Sequence, residues 1–264
     1  MLIGCCGTTK TYSLIREMGY DYAELSGREL MSISEEDFRK FLARYRSEAF
    51  PCRGFNDFCS GALPIVGPDC APNALKAYTR ELCRRGGQLG IRTIGIGAPA
   101  ARKLPPDYPR KQADIQMADF LETASALARE NGITILLEAV HQFLCDYLTR
   151  TGEAWQMVRE LQLPNLALVL DYYHAMVMGE DLHGFAQIMP SVRHLHFSTD
   201  LRGHARGYPE EGDVPLLRQL FTEAREQQCR SESISLEADP GALEEHGRQG
   251  LFWMRRALHE AGGR

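Results

Sequence analysis

The chain has 264 residues, of which 44% are hydrophobic and 25% charged, a composition typical of a folded globular protein and not of a disordered one. Its formal net charge of -5 argues against a nucleic-acid partner, because nucleic-acid-binding proteins carry a basic face. No apolar run has the length needed to span a bilayer, so we expect no membrane partner. The eight cysteines form no Cys-x-x-Cys pair, which predicts free thiols and a cytoplasmic location.

Strand-like and helix-like segments alternate along the chain. Eight short segments are apolar nearly throughout, as strands covered on both faces are. These predicted strands are Leu2–Cys6, Tyr20–Leu25, Phe50–Asn56, Thr93–Gly97, Thr134–Val140, Leu166–Tyr172, Arg193–Ser198 and Ser233–Ala238. Amphipathic segments of helical period lie between them and predict helices over residues 34–47, 72–89, 111–130, 151–162, 213–228 and 241–261.

Eight alternating strands and helices predict one α/β domain over residues 1–264, a closed (β/α)₈ TIM barrel. The alternative is a doubly wound open sheet, which would usually carry a glycine-rich phosphate-binding turn after its first strand. The segment Gly-Cys-Cys-Gly (4–7) does not provide that turn. Three long loops follow predicted strands, so in a barrel they lie on one face as candidate lids or substrate walls: Cys59–Asn73, Ala98–Arg110 and Thr199–Gly212.

Four polar residues close four consecutive predicted strands: Glu138, Asp171, His196 and Glu237. A charged group at the end of a buried strand is costly to desolvate unless something pairs with it. In a barrel all four lie at the carboxyl ends of strands, where barrel enzymes build their active sites. Three carboxylates and one imidazole predict a site for one divalent metal ion, with Mn²⁺ favoured, Mg²⁺ or Co²⁺ as alternatives and Zn²⁺ less suited.

The segments around these positions resemble the xylose-isomerase-like superfamily, especially sugar isomerases and epimerases of the tagatose-epimerase type. The matching segments are Leu-Leu-Glu-Ala-Val (136–140), Leu-Asp-Tyr-Tyr-His (170–174), Arg-His-Leu-His-Phe (193–197) and Ser-Leu-Glu-Ala (235–238). The resemblance implies a xylose-isomerase-like TIM barrel that binds a divalent metal and acts on a small-molecule carbohydrate. It also implies that Glu138, Asp171, His196 and Glu237 bind the metal, and that Glu138 and Glu237 are the two catalytic acid/base carboxylates.

Several substrate contacts follow from the same resemblance. His174, three residues after the aspartate, matches a substrate-contacting histidine, and Arg202, six residues after the metal-binding histidine, matches an arginine that contacts substrate oxygens. His141 stands where the epimerases often have Asn, and Leu144 stands where they carry a second Glu. We therefore expect a substrate pocket that differs from that of a free-ketohexose epimerase. Glu24 closes the second predicted strand and is a further candidate contact, although it could equally pair with a surface Arg.

The metal and the two carboxylates would form a coherent proton-transfer site. A divalent cation that bridges a carbonyl and a neighbouring hydroxyl stabilises the enediolate formed when the adjacent carbon loses a proton. Two carboxylates on opposite sides of the substrate can remove a proton from one face and return one to the other. The predicted function is therefore a divalent-metal-dependent isomerase or epimerase of a sugar or sugar derivative.

Four other side chains have two interpretations each. His194 lies two residues before His196 and faces the same way, so it either braces that ligand or is a hydrogen-bonded histidine of the barrel interior. Arg102, Lys103 and Arg206 lie in the long loops, where they could contact a phosphate or carboxylate. Solvated loop charges are the more common outcome, and we expect these three to be solvated.

Three other functions remain open on the same scaffold. A lyase or dehydratase would remove the same proton and then expel a β-substituent. An apurinic-site endonuclease would need further histidines from early strands, whereas every His here lies at residue 141 or later. A non-catalytic sugar-binding subunit would have no use for an intact ligand set. Assembly into a homo-oligomer is a further expectation that the sequence does not decide.

Overall fold

Eight parallel strands close into a barrel in a computed structural model of the protein, which describes residues 1–201 and 204–262. The strands in this part of the chain are β1 (Leu2–Gly7), β2 (Tyr22–Ser26), β3 (Cys52–Asn56), β4 (Thr93–Ile96), β5 (Thr134–Leu137), β6 (Leu166–Asp171), β7 (Val192–Phe197), β8 (Thr199–Leu201), β9 (Ala205–Gly207) and β10 (Ser233–Leu236). Eight of these strands form the barrel, in the order β1-β10-β7-β6-β5-β4-β3-β2, and β8 and β9 form a separate two-stranded sheet. Because β1 pairs with both β2 and β10, the sheet has no open edge, which rules out the doubly wound alternative.

The helices connect and surround the barrel strands. They are α1 (Tyr12–Met18), α2 (Gly27–Ser32), α3 (Glu35–Glu48), α4 (Pro72–Leu89), α5 (Arg110–Arg129), α6 (Thr151–Leu161), α7 (Tyr172–Val177), α8 (Val214–Glu226) and α9 (Leu243–Glu260). The six helices predicted from apolar periodicity are present, with ends that lie within two residues of the predicted ones. At the start of α3, Ser34 Oγ accepts a hydrogen bond from the backbone N–H of Asp37 at 3.1 Å, which caps the helix as its sequence indicates. The fold is therefore the predicted (β/α)₈ TIM barrel.

Short elements that the periodicity did not predict complete the mouth of the barrel. α1, α2 and α7 have only six or seven residues, which is too few for an apolar stripe to be recognised. The predicted loop Thr199–Gly212 contains an antiparallel hairpin of β8 and β9. This hairpin carries the chain back over the barrel mouth. None of the helices in the described residues is long and apolar enough to cross a membrane.

Five of the predicted strands end earlier than expected, and at β5 and β10 the difference positions the site. β5 ends at Leu137 and β10 at Leu236, so Glu138 and Glu237 are the first residues beyond their strands. Both remain attached to the sheet, because Glu138 N donates to Ile96 O at 3.2 Å and Glu237 N donates to Phe197 O at 2.9 Å. Their side chains therefore start from backbone that the neighbouring strand holds.

Candidate active site

Four side chains from adjacent strands converge at the carboxyl end of the barrel. Glu138, Asp171, His196 and Glu237 follow or end β5, β6, β7 and β10, which are neighbours in the barrel. Each offers a ligand atom, and these atoms all lie within 4.8 Å of one another. His196 Nδ1 is 3.5 Å from Glu138 Oε1 and 3.2 Å from Glu237 Oε2. The structure thus brings together the four residues that the sequence analysis selected.

The donor atoms of this cluster fit a cation. Glu138 Oε1, His196 Nδ1 and Glu237 Oε2 are buried, and none of the three makes a hydrogen bond. Buried polar atoms are normally hydrogen-bonded, and three carboxylates in one buried place repel each other. A divalent ion among these atoms would satisfy them and neutralise their charge, and oxygen ligands with one imidazole suit a hard or borderline metal.

The surroundings shift the pKa values of the carboxyl groups in this cluster in different directions. Burial raises the pKa of Glu138 to about 7, and the neighbouring charges of Glu237 and Asp171 add to the rise. Burial acts in the same direction on Asp171 and Glu237, but the positive charges of Arg206 and His196 together outweigh it and hold both pKa values below their ordinary range. Without a metal, Glu138 therefore binds a proton near neutral pH while Glu237 is ionised. Such a pair of carboxyl groups is the pattern expected of an acid and a base.

Arg206 is the residue that the sequence analysis most clearly misjudged. Its Nη2 donates to Asp171 Oδ2 at 2.5 Å and lies 2.9 Å from His174 Nε2, and its Nη1 is 3.1 Å from Glu237 Oε2. The guanidinium also lies over the ring of Tyr173, 4.5 Å from its centroid. The prediction of a solvated loop charge was wrong, because the β8–β9 hairpin folds back over the mouth. A long loop after a barrel strand is the one sequence signal that could have indicated this.

The other two charged loop residues, Arg102 and Lys103, differ in their exposure to solvent. Lys103 is exposed, as expected, whereas Arg102 is fully buried, with 0% of its surface accessible. All three guanidinium nitrogens of Arg102 lack a hydrogen-bond partner. The expectation that Arg102 is solvated is therefore wrong, because it follows the short 3₁₀ turn Pro99–Ala101, which directs it inward.

Glu24 lies beneath the cluster instead of facing the mouth. It is 2% exposed, and its Oε2 is 2.8 Å from His194 Nε2 and 3.1 Å from His196 Nε2. This position does not support the predicted substrate contact, because the carboxylate is enclosed by the two histidines. His194 also lies 3.0 Å from Ser233 Oγ and 3.1 Å from Ser235 Oγ, and its ring packs edge-on against that of His196 with the centroids 4.9 Å apart, so it contacts His196 both directly and through Glu24.

A cavity of about 820 Å³ opens above the cluster. His174 and Leu144 line it, the latter 48% exposed, so an apolar side chain occupies the position where the epimerases have a second Glu. His141 is 1% exposed and does not line this cavity; its ring lies behind that of His174, with the centroids 5.0 Å apart. A direct substrate contact of His141 is therefore not supported. Arg202, the fourth predicted contact, lies outside the described residues.

Asn56 is a cavity-lining residue that the sequence analysis did not select. It ends β3, and its Nδ2 donates to Glu237 Oε1 at 2.9 Å. This bond holds one carboxylate oxygen of Glu237 and leaves Oε2 directed at the cluster. Its only sequence signal is its place at the end of a strand, which is too common to be selective.

Comparisons with known proteins identify the family of this chain. A family model described as a xylose isomerase-like TIM barrel matches residues 12–257, and the chain belongs to that family. A 3-dehydro-D-guloside 4-epimerase of Escherichia coli (strain K12) is 24% identical over 208 residues, which cover 73% of this chain and 71% of the relative. A ketose 3-epimerase of Arthrobacter globiformis is 27% identical over 231 residues, covering 81% of this chain and 76% of the relative.

A solved structure of an IOLI protein with a zinc atom bound has the same fold. It superposes with a TM-score of 0.73 at 18% identity, covering 99% of this chain and 98% of that chain. At this identity the likeness supports the fold alone. The sequence relatives are thus sugar epimerases, and the resemblance to the xylose-isomerase-like superfamily inferred from the four strand ends is confirmed.

Proposed function

We propose that this protein is a divalent-metal-dependent epimerase or isomerase of a small carbohydrate. The observation that carries the proposal is the buried cluster of Glu138, Asp171, His196 and Glu237 at the floor of a cavity, where Glu138 Oε1 and His196 Nδ1 have no hydrogen-bond partner. The two epimerase relatives support a sugar with a carbonyl group as the substrate. A cytoplasmic location and assembly into a homo-oligomer stay predictions.

The metal ligands would be the four residues of the cluster. A divalent ion bound there supplies positive charge that makes a C–H bond next to a carbonyl easier to ionise. Mn²⁺ is our first choice for a site with three carboxylates, and Mg²⁺, Co²⁺ or Zn²⁺ are the alternatives to be compared with it. The solved neighbour with a zinc atom supports a metal in this fold without deciding which one this chain selects.

Glu138 and Glu237 are proposed as the proton-transfer pair. They stand on either side of His196, whose Nδ1 lies within 3.5 Å of a carboxylate oxygen of each. Asn56 Nδ2 donates to Glu237 Oε1 and Arg206 Nη1 lies 3.1 Å from Glu237 Oε2, so both oxygens of this carboxylate are held in place beside the cavity. A substrate seated between the two carboxylates would lose a proton to one and receive a proton from the other on its opposite face, which is an epimerisation.

Arg206 and His174 are proposed to contact the oxygens of the substrate. Both line the cavity, and the guanidinium of Arg206 lies beside Asp171 and Glu237. Burial lowers the pKa of His174 to about 3, with the nearby Arg206 charge contributing, so its imidazole is neutral at pH 7. A neutral imidazole can donate a hydrogen bond to a hydroxyl or accept one from it. Arg202 is kept as a further proposed contact from the sequence.

The test is isotope exchange. The Mn²⁺-loaded protein is incubated in deuterated water with a panel of ketoses and 3-keto-glycosides, and deuterium at the carbon next to the carbonyl is measured by mass spectrometry. We expect exchange with at least one sugar, and a loss of about 10²–10⁴-fold in Glu237→Gln. The exposed Glu36 of α3 provides the control Glu36→Gln, which should exchange at the rate of the parent protein.

The outcomes separate the competing functions. Exchange without loss of water or an aglycone supports the epimerase, whereas release of either product supports a lyase. The absence of exchange across the panel, or full activity in Glu237→Gln, would contradict the proposed mechanism. If calorimetry detects no binding of Mn²⁺, Mg²⁺, Co²⁺ or Zn²⁺, a non-catalytic sugar-binding protein becomes the better account.

A further inference from the structure

A second cavity lies at the opposite, amino-terminal end of the barrel. Its volume is about 220 Å³, and four arginines line it: Arg53, Arg92, Arg193 and Arg230. Arg53 and Arg193 are the second residues of β3 and β7, and Arg92 and Arg230 precede β4 and β10. Because the starts of parallel strands meet at one end of a barrel, arginines at these positions converge on the same opening.

Positive charge is in excess in this cavity, which is lined by four arginines and two glutamates. Within residues 1–201 and 204–262, no carboxylate forms an ion pair with any of the four guanidiniums. The acidic residues in the lining are Glu232, which is exposed, and Glu24, whose Oε2 lies within hydrogen-bond distance of two histidines. Burial lowers the pKa of Arg193, and the adjacent charge of Arg230 lowers it further, which indicates that these cations repel each other.

The other polar groups of the lining are hydroxyls and an imidazole. Thr93, Thr134 and Ser233 contribute hydroxyls, and His194 lies on the floor with its Nδ1 3.0 Å from Ser233 Oγ. The guanidinium of Arg53 lies over the ring of Tyr22, 5.7 Å from its centroid, which leaves its N–H groups free to donate in the plane of the fork. The cavity thus combines several positively charged hydrogen-bond donors with hydroxyl groups that can also donate.

We propose that this cavity binds a phosphoryl group, supplied either by inorganic phosphate or by a small phosphorylated metabolite. Guanidinium groups match the oxygens of phosphate in charge and geometry. At about 220 Å³ the cavity is smaller than the pockets that enclose drug-sized ligands, which favours a small anion over a nucleotide. The site is separate from the mouth cavity and does not depend on the proposed epimerase activity.

Calorimetry on the full chain tests the proposal. The protein is first treated with a chelator, so that phosphate cannot bind through a metal in the mouth, and is then titrated with inorganic phosphate at constant ionic strength. We expect saturable binding that weakens by about tenfold or more in the double variant Arg92→Gln/Arg230→Gln, whose two side chains are exposed. The control is Arg129→Gln/Arg248→Gln, which removes the same charge from exposed positions outside the cavity and should bind phosphate like the parent.

Further titrations identify the source of the phosphoryl group and show which results contradict the proposal. A titration with glucose 6-phosphate distinguishes the two sources: tighter binding than inorganic phosphate indicates a phosphorylated metabolite, and equal or weaker binding indicates free phosphate. The proposal is overturned if phosphate gives no saturable heat, or if the control variant loses affinity as much as Arg92→Gln/Arg230→Gln. Circular dichroism of both variants checks that a loss of binding is not a loss of the fold.

Discussion

Oε2 of Glu24 lies 3.1 Å from Nε2 of His196, on the side of the imidazole opposite to the carboxylate cluster. A histidine that donates one ring N–H to a carboxylate presents its other nitrogen as a lone pair. Glu24 therefore selects the tautomer in which Nδ1 of His196 can bind a cation, and it orients the ring toward Glu138 and Glu237. This arrangement explains why a carboxylate is buried beneath the candidate metal site.

The first prediction concerns this carboxylate. Glu24→Gln should weaken the binding of Mn²⁺ by about 10–100-fold, because the amide cannot hold His196 in the same tautomer with the same strength. Isothermal titration calorimetry of the chelator-treated protein measures the change. Glu29→Gln is the matched control, since Glu29 lies in α2, directly after β2, and accepts a hydrogen bond from Thr9 outside the cluster. Unchanged affinity in Glu24→Gln would show that His196 is oriented without it.

The second prediction compares Gly95, in β4, with Gly97, the first residue beyond this strand. A methyl group at Gly97 would overlap Glu138 Oε2, whereas at Gly95 the nearest atom, Phe55 O, would be at an ordinary 3.6 Å. We expect Gly97→Ala to displace the Glu138 carboxylate and to lower the affinity for the metal by about tenfold or more, while Gly95→Ala binds it normally. Metal titration of both variants provides the comparison. Equal affinities would mean that Glu138 does not need its observed position.

The third prediction is a pH dependence of metal binding. Burial raises the pKa of Glu138 to about 7, and the carboxylates of Glu24 and Glu237 raise the pKa of His196 despite its burial. A metal must displace protons from both groups, so its affinity should rise with pH through about 7 and level off once both are deprotonated. Calorimetry in buffers of different ionisation enthalpy counts the released protons. Binding that is independent of pH between about 6 and 8 contradicts this assignment.

The fourth prediction addresses the buried guanidinium of Arg102. Its three nitrogens have no hydrogen-bond partner, and an unpaired buried charge destabilises the folded state. Arg102→Met should therefore raise the free energy of unfolding by about 1–3 kcal/mol, as measured by urea denaturation. Lys103→Met, at the exposed neighbouring position, should change it by less than about 0.5 kcal/mol. A decrease in Arg102→Met would indicate that the guanidinium makes a stabilising interaction.

The sequence by itself determined the barrel and the membership of the cluster. Strand positions follow from short apolar runs, and parallel strands in a closed barrel bring their carboxyl ends to one face. Polar residues at the ends of β5, β6, β7 and β10 therefore have to be neighbours, whatever the loops do. The short helices were missed because six or seven residues do not display a helical period.

Only the tertiary structure decided how the cluster is supported. The pairing of Glu24 with His194 and His196 joins residues about 170 positions apart, and it depends on the register of strands that lie on different sides of the barrel. Arg206 reaches Asp171 only because the β8–β9 hairpin folds back. Such contacts depend on loop conformation and on side-chain directions across the barrel, which local patterns do not encode. The residues at the strand ends could therefore be predicted from the sequence, while the neighbouring charges that shift their pKa values could not.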